Sequence, residues 1–210
     1  MADARERRQD LVLASASPRR RELLERVGLR LAIATAEIDE TPRPAERPSD
    51  YVHRMALEKL AVVGAATDRV PPGLAILAAD TTVIVQGKIL GKPDGEEDAR
   101  AMLRALAGRR HEVTTAYRIR FGTRELDRAV TTIVAFRLID PRELEAYIAS
   151  GEWRGKAGAY AVQGVAAAFV TELRGSPTNV VGLPLPEALA DLRAIGALEG
   201  YPPATFPSLA

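Results

Sequence analysis

The chain has 210 residues, 47% of them hydrophobic and 27% charged. That is the balance of a soluble globular protein, long enough for one large domain or two small lobes. With a formal net charge of +1, no cysteine and only His53 and His111, it lacks a bulk electrostatic drive toward nucleic acid or an anionic membrane. It also cannot form disulfides, thiolate zinc sites or a cysteine nucleophile, and a multi-histidine metal site is disfavoured.

Any metal would therefore be held by oxygen ligands, which favours magnesium or manganese. The first ten residues, "MADARERRQD", are charged and lack the apolar segment of a secretory signal. No run of about 18 apolar residues is present to span a membrane. A cytoplasmic location is expected. Residues 1–10 and the Pro-rich 200–210 are expected to be flexible termini.

Residues 11–15 read as a short buried strand. Ser17 and Pro18 then read as the N-cap and first position of a helix over 18–27, with Leu23, Leu24 and Val27 on one face and Gly28 as its stop. Arg19, Arg20 and Arg21 follow at once. Each cation there opposes the helix dipole by roughly 0.3–1 kcal/mol. Either a phosphate sits at this turn, held by the first backbone N–H groups, Ser15, Ser17 and the arginines, or the arginines splay into solvent over apolar surface. On the first reading, removing Arg20 should weaken binding of the phosphate ligand far more than it changes the melting temperature of the ligand-free protein, where the dipole opposes the cation. The segment has none of the glycines of a P-loop or dinucleotide fingerprint.

Residues 31–36 read as a second strand and 37–48 as an acidic, Pro-rich loop. Its carboxylates Asp39 and Glu40 are either hard oxygen ligands or simply solvated. Ser49 is expected to cap a helix running to about residue 64. On it, Lys59 lies four residues after Met55 and four before Val63, on or beside the apolar face. There it needs an anionic partner or must snorkel.

Residues 75–80 and 82–85 are β-rich, with Asp80 between them. A carboxylate in such a run is costly unless paired or metal-bound. It reads as a strand-end metal ligand or general base, or as a hairpin-turn residue. Gly87 suggests a turn into Ile89 and Leu90, and "GKP" fixes Lys92 in a turn.

Residues 96–107 form an amphipathic helix through Ala99, Met102, Leu103 and Leu106. Residues 113–121 and 130–138 read as paired strands. Asp140 to Glu143 make a capping box opening a helix to about residue 150. In "KAGAYAVQG", residues 156–164, the small residues permit close approach of a flat ligand. The Gln163 amide, both donor and acceptor, suits the edge of a base, unless it is merely a polar loop residue. Residues 165–171 read as a strand and 186–195 as a final helix. The alternation, with hairpin strands in the middle, predicts an α/β fold of two lobes on a curved mixed sheet with a central cleft.

Taken in order, "LASASPRRRELL", "EIDET", "ALEKLA", "AADTTV", "GKP", "KAGAYAVQG" and "NVVGLPL" resemble the Maf family of nucleotide pyrophosphatases, also called septum formation inhibitor Maf-like proteins. The resemblance spans nearly the whole chain and implies one domain over 11–196. The fold it implies is related to the inosine triphosphate pyrophosphatases.

The activity implied is hydrolysis of a nucleoside triphosphate to the monophosphate and pyrophosphate with Mg²⁺ or Mn²⁺, a house-cleaning of the nucleotide pool linked to cell-division arrest. Carried over by position, Asp80 is the catalytic acid–base residue. Ser15, Arg20, Lys59 and Lys92 bind phosphate, and Glu40 with Asp80 holds the metal. Arg19, Thr81 and Gln163 match the dTTP/UTP branch, extended to modified pyrimidine nucleotides. The branch acting on 7-methyl-GTP has Trp and Glu in place of Arg19 and Gln163. One departure is Asp94-Gly95 after "GKP", where many relatives carry a basic residue. The resemblance also implies a homodimer. Its alternatives are a non-catalytic regulator of septum formation acting through a partner, and a pyrophosphatase of modified-purine specificity.

Overall fold

The computed structural model describes residues 9–66 and 70–199. The strands begin with β1 (Leu11–Ala14), whose four residues are all buried, and β2 (Leu31–Ile33). These lie parallel to each other and to the first half of β3 (Ala75–Val85). From β3 the chain turns through Gly87 into the short β4 (Lys88–Leu90), which pairs back on β3. β5 (Arg110–Phe121), β6 (Arg124–Phe136) and β7 (Val170–Arg174) extend the other side antiparallel. The order is β2-β1-β3-β5-β6-β7, with β4 off that path. This is an open, mixed seven-stranded sheet in an α/β fold, as the alternation of elements predicts.

Helices flank it: α1 (Pro18–Arg26), α2 (Pro48–Ala65), α3 (Glu96–Leu106), α4 (Pro141–Ser150), α5 (Pro177–Val181) and α6 (Leu185–Ala194). One apolar cluster holds Leu103, Leu106, Phe136, Tyr147, Trp153 and Phe169. A second holds Leu11, Leu24, Leu77, Leu183 and Leu192. The predicted capping box on α4 is formed, with Asp140 accepting from Arg142 N–H and Glu143 accepting from Asp140 N–H.

The feature that places the site is a break beside β3. Its parallel pairing with β1 ends at Ala14↔Ala78, and its pairing with β4 begins at Val83↔Leu90. Between them Asp80 and Thr81 have a strand neighbour on one side only, β5, opposite Ala116 and Thr115. Ligands of open α/β sheets gather where a strand's carboxyl end meets such a gap. Asp80 is thus neither a strand-end nor a hairpin-turn residue. It lies inside one continuous strand of 11 residues, and the strand beside it has stopped.

Three further expectations change. Ser49 does not cap α2: the N-cap is Arg47, Pro48 takes the first position, and the Ser49 hydroxyl turns to Asp50. β6 starts at Arg124, six residues before the apolar pattern, because backbone pairing with β5 from Phe121↔Arg124 needs no buried side chains. Residues 165–171 are not one strand. Val165–Phe169 is a 3-10 turn, and β7 follows it. The expected flexible termini lie outside the described residues, apart from 9 and 10.

Candidate active site

A cavity of about 290 Å³ opens at the gap beside β3. Ser15, Arg19, Arg20, Glu40, Lys59, Asp80, Thr81, Lys92 and Gln163 all line it. The structure therefore brings together every residue that the family resemblance assigns to the site, but not Asp39, whose carboxylate accepts from Thr41 N–H on the exposed loop. Six different stretches of chain supply the assigned residues, and members of both large apolar clusters form the cavity walls, among them Val83, Tyr160 and Val181.

On one side of the cavity, Lys59 projects from α2 and is 9% exposed. Its ammonium donates to Asp80 Oδ1 at 2.6 Å and pairs with Glu40 Oε1 at 2.8 Å. Lys92 donates to the other Glu40 oxygen at 2.6 Å. Burial raises the Glu40 carboxyl, but the hydrogen bonds from the two lysines outweigh it and bring it down to about 2. Glu40 is thus ionised at neutral pH. The Tyr51 hydroxyl fixes its backbone by donating to the Glu40 carbonyl at 3.0 Å.

On the other side, Arg20 turns inward from the first turn of α1 and is 7% exposed. Nε donates to the Gly182 carbonyl at 2.7 Å, Nη1 to the Ser15 hydroxyl at 3.0 Å and Nη2 to the Thr81 hydroxyl at 2.9 Å. Burial lowers its guanidinium, while Asp80 opposes that shift. Each terminal nitrogen keeps one further N–H.

Ser15 Oγ accepts from Arg20 and from Ser17 N–H, so its own proton is left to donate. Ser17 occupies the N-cap position of α1 but its hydroxyl makes no cap bond. Of the other arginines, Arg21 pairs with Glu25 on the exposed face, and Arg19 lines the cavity with burial lowering its guanidinium. The three arginines thus have three different fates.

The three bonds of Arg20 weigh against the expectation that the ligand-free protein loses little by its removal, although Arg20 does stand against the helix dipole. Its three bonds pin α1 to β3 and to the turn after α5, and they outweigh a repulsion of about 1 kcal/mol or less.

Comparison with known proteins shows the family. The profile of the family described as Maf-like protein matches residues 10–195. The chain belongs to the Maf-like protein family. A protein of Anaeromyxobacter dehalogenans named dTTP/UTP pyrophosphatase is 52% identical over 190 residues, which is 89% of this chain and 94% of that protein. One of Sphingopyxis alaskensis with the same name is 53% identical, over 89% of this chain and 96% of its own. A third, from Geobacter sulfurreducens, is 47% identical over 90% and 97%.

Several residues of this Maf-like site escaped sequence reasoning. The Thr81 hydroxyl meets Thr115 at 2.8 Å, and Thr115 donates to the Asn179 carbonyl at 3.1 Å. Thr115 thereby spends its proton, while Thr81 accepts from Arg20 and has two acceptors for its own proton, Thr115 Oγ1 and the Gly182 carbonyl at 3.3 Å. Asn179 is wholly buried and donates to the Val113 carbonyl and to Thr132, each at 2.9 Å. The signal for α5 was present: Ser176-Pro177 repeats the Ser-Pro start of α1, and here Ser176 does cap, accepting from Asn179 N–H at 3.2 Å. Gly158 was missed for a different reason. Its φ is +66° and an added Cβ would meet Val83 at 3.0 Å, so only glycine lets its N–H reach the Gly91 carbonyl beside Lys92.

The carboxylates also bear on a metal. Among the described residues no group of three or more His, Cys, Asp or Glu forms a metal cage. Glu40 and Asp80 nevertheless converge on one cation, the Lys59 ammonium. Two carboxylates, completed by phosphate oxygens and water, are a donor set that suits Mg²⁺ or Mn²⁺. No helix of the described chain is long and apolar enough to cross a membrane.

Proposed function

We propose that this chain hydrolyses dTTP and UTP to the monophosphate and pyrophosphate. The observation that carries the reading is one cavity in which an ionic cluster, Asp80–Lys59–Glu40–Lys92, faces the Arg20–Ser15 pair across a space lined by Gln163. Cations outnumber carboxylates there, as a polyanionic triphosphate requires. The names of the relatives supply the substrate.

In this reading the triphosphate lies against the Ser15 hydroxyl, the free N–H groups of Arg20 and α1, and the ammonium groups of Lys59 and Lys92. Asp80 Oδ1 is held by Lys59, which leaves Oδ2 to orient a water and accept its proton. The water oxygen attacks the α-phosphorus. The bond from that phosphorus to the bridging oxygen breaks, and pyrophosphate leaves with the electron pair. Glu40 and Asp80 would hold a divalent cation, which supplies charge neutralisation on the phosphate oxygens. Arg19, Thr81 and Gln163 set the choice of base, with modified pyrimidines within reach.

In this reading residues 11–196 act as one domain of two lobes, and the hydrolysis serves to clean the nucleotide pool. The test is pyrophosphate release from UTP, dTTP, CTP, ATP and GTP with Mg²⁺ or Mn²⁺. Preferential turnover of UTP and dTTP is expected. Orthophosphate as the primary product, or no turnover of any nucleotide, would overturn it.

A further inference from the structure

The loop that carries Gln163 is short and holds few bonds of its own. A turn bond from Gly164 N–H to the Ala161 carbonyl, at 3.1 Å, closes it. Directly after it, the 3-10 turn Val165–Phe169 begins with backbone N–H groups that have no partner within the turn. Glu152 supplies that partner from 13 residues away. Its Oε2 accepts from Val165 N–H at 2.8 Å and its Oε1 from Ala166 N–H at 3.3 Å.

Glu152 is itself held firmly. It follows the left-handed Gly151 that ends α4, and its N–H donates to the Ser150 hydroxyl at 3.2 Å. The next residue, Trp153, is 5% exposed and donates from its ring N–H to the Ile148 carbonyl at 3.0 Å. The Lys156 ammonium donates to the Glu152 carbonyl. The carboxylate therefore reaches the loop from a fixed base at the end of a capped helix.

Gly164 completes the arrangement. Its φ is −112°, a value any residue can adopt. Yet a Cβ there would lie 2.1 Å from Glu152 Oε2, and its three nearest atoms all belong to the Glu152 carboxyl group. What glycine provides here is space, not backbone freedom. A side chain at 164 would force the Glu152 carboxylate to shift from Val165 and Ala166.

We propose that Glu152 is a positioning residue for base choice: its carboxylate clamps the start of the 3-10 turn and so fixes where Gln163, two residues earlier, meets the nucleotide base. Gly164 is the space that lets it do so. This rests on the reading of Gln163 as the residue facing the base. Glu152 itself touches no reacting group in that scheme, and it does not line the cavity.

The test is a double-mutant cycle with Glu152→Ala, Gly164→Ala and the pair, plus Glu152→Gln. For each, kcat/KM is measured over the five common triphosphates, and binding of non-hydrolysable analogues is measured by calorimetry. The readout is the ratio between the best and the worst base, whichever base is best. Glu152→Gln keeps the size but sets an NH₂ against a backbone N–H. It should lower the ratio about tenfold, the scale of one mispaired hydrogen bond, mainly through KM.

Gly164→Ala should lower it similarly on its own and by less than about twofold on the Glu152→Ala background, since the group it displaces is gone. A merely structural role would reduce all substrates alike and leave the ratio standing. Unchanged ratios in the single variants, or additive effects of Glu152→Ala and Gly164→Ala, would overturn this inference alone. A wild type that prefers a purine overturns the pyrimidine reading instead, while the cycle still decides the role of Glu152. A wild type that does not discriminate bases overturns both.

Discussion

Replacing Arg20 with alanine should destabilise the ligand-free protein by about 3 kcal/mol. Its guanidinium makes three hydrogen bonds, to Gly182, Ser15 and Thr81, at 2.7, 3.0 and 2.9 Å. Bonds to a charged donor contribute about 1.5–3 kcal/mol each when measured singly. Against their sum stand the regained hydration of a buried cation, worth several kcal/mol, and relief of about 0.3–1 kcal/mol of helix-dipole repulsion. The balance is a net loss of about 2–4 kcal/mol, close to that for removing one partner of a buried polar cluster.

For a chain of this length that corresponds to a fall in Tm of roughly 6–12 °C. Urea unfolding followed by circular dichroism, without nucleotide or metal, measures it directly. Arg20→Lys keeps the charge but cannot make all three bonds, so it should recover only part of the loss. A loss below about 1 kcal/mol for the alanine variant, or full recovery by lysine, would refute the claim that the geometry of the guanidinium fork holds these elements together.

Asp80→Asn keeps the shape of the side chain but cannot take a proton, and should lower kcat by about 10²–10⁴-fold with the fold intact; retention of more than a tenth of wild-type turnover would remove Asp80 from the mechanism. Excess EDTA should abolish pyrophosphate release, with Mg²⁺ or Mn²⁺ restoring it, and undiminished activity in the chelator would count against the Glu40–Asp80 metal site. Gln163→Glu should lower kcat/KM for UTP and dTTP by tens- to hundreds-fold, about 2–3 kcal/mol, because a carboxylate faces the O4 lone pairs of the base; guanine nucleotides should lose less, and equal losses for both would mean that Gln163 does not read the base.

Burial pushes the His111 imidazole down to about 4. The unfolded chain therefore binds a proton at higher pH than the folded one, and stability should fall as pH drops from about 6.5 to about 4. His111→Gln, which removes the titration but keeps a polar group beside Tyr160, should flatten that slope, and an unchanged slope in the variant would exclude His111 as its source.

The site was legible wherever a residue broke the pattern of its surroundings. Asp80 and Lys59 are charges in apolar stretches, and they turn out to be partners at 2.6 Å. Arg20 is a cation at the wrong end of a helix, and it is buried because three acceptors await it. Most of what stayed hidden has no local signature. The Gly182 carbonyl is backbone and carries no mark in the sequence. Thr81 and Thr115 meet only through the register of β3 on β5. α5 shows only its Ser176-Pro177 start, because 5 residues are too short for a helical period.

The apolar segment 165–169 has the composition of a strand, and the carboxylate that holds it in a 3-10 turn is 13 residues away. The overall α/β order was legible because β1 is a continuous apolar run and α1 and α3 carry apolar residues at helical spacing. The start of β6 was not, because its first residues are exposed and owe their conformation to pairing alone.

The central claim is that water attacks the α-phosphorus of the nucleotide at Asp80. Turnover of UTP in ¹⁸O-labelled water, with products resolved by mass spectrometry, tests it most directly. The account predicts one ¹⁸O atom in UMP and none in pyrophosphate. Label in pyrophosphate or in orthophosphate would place the attack on another phosphorus and contradict it.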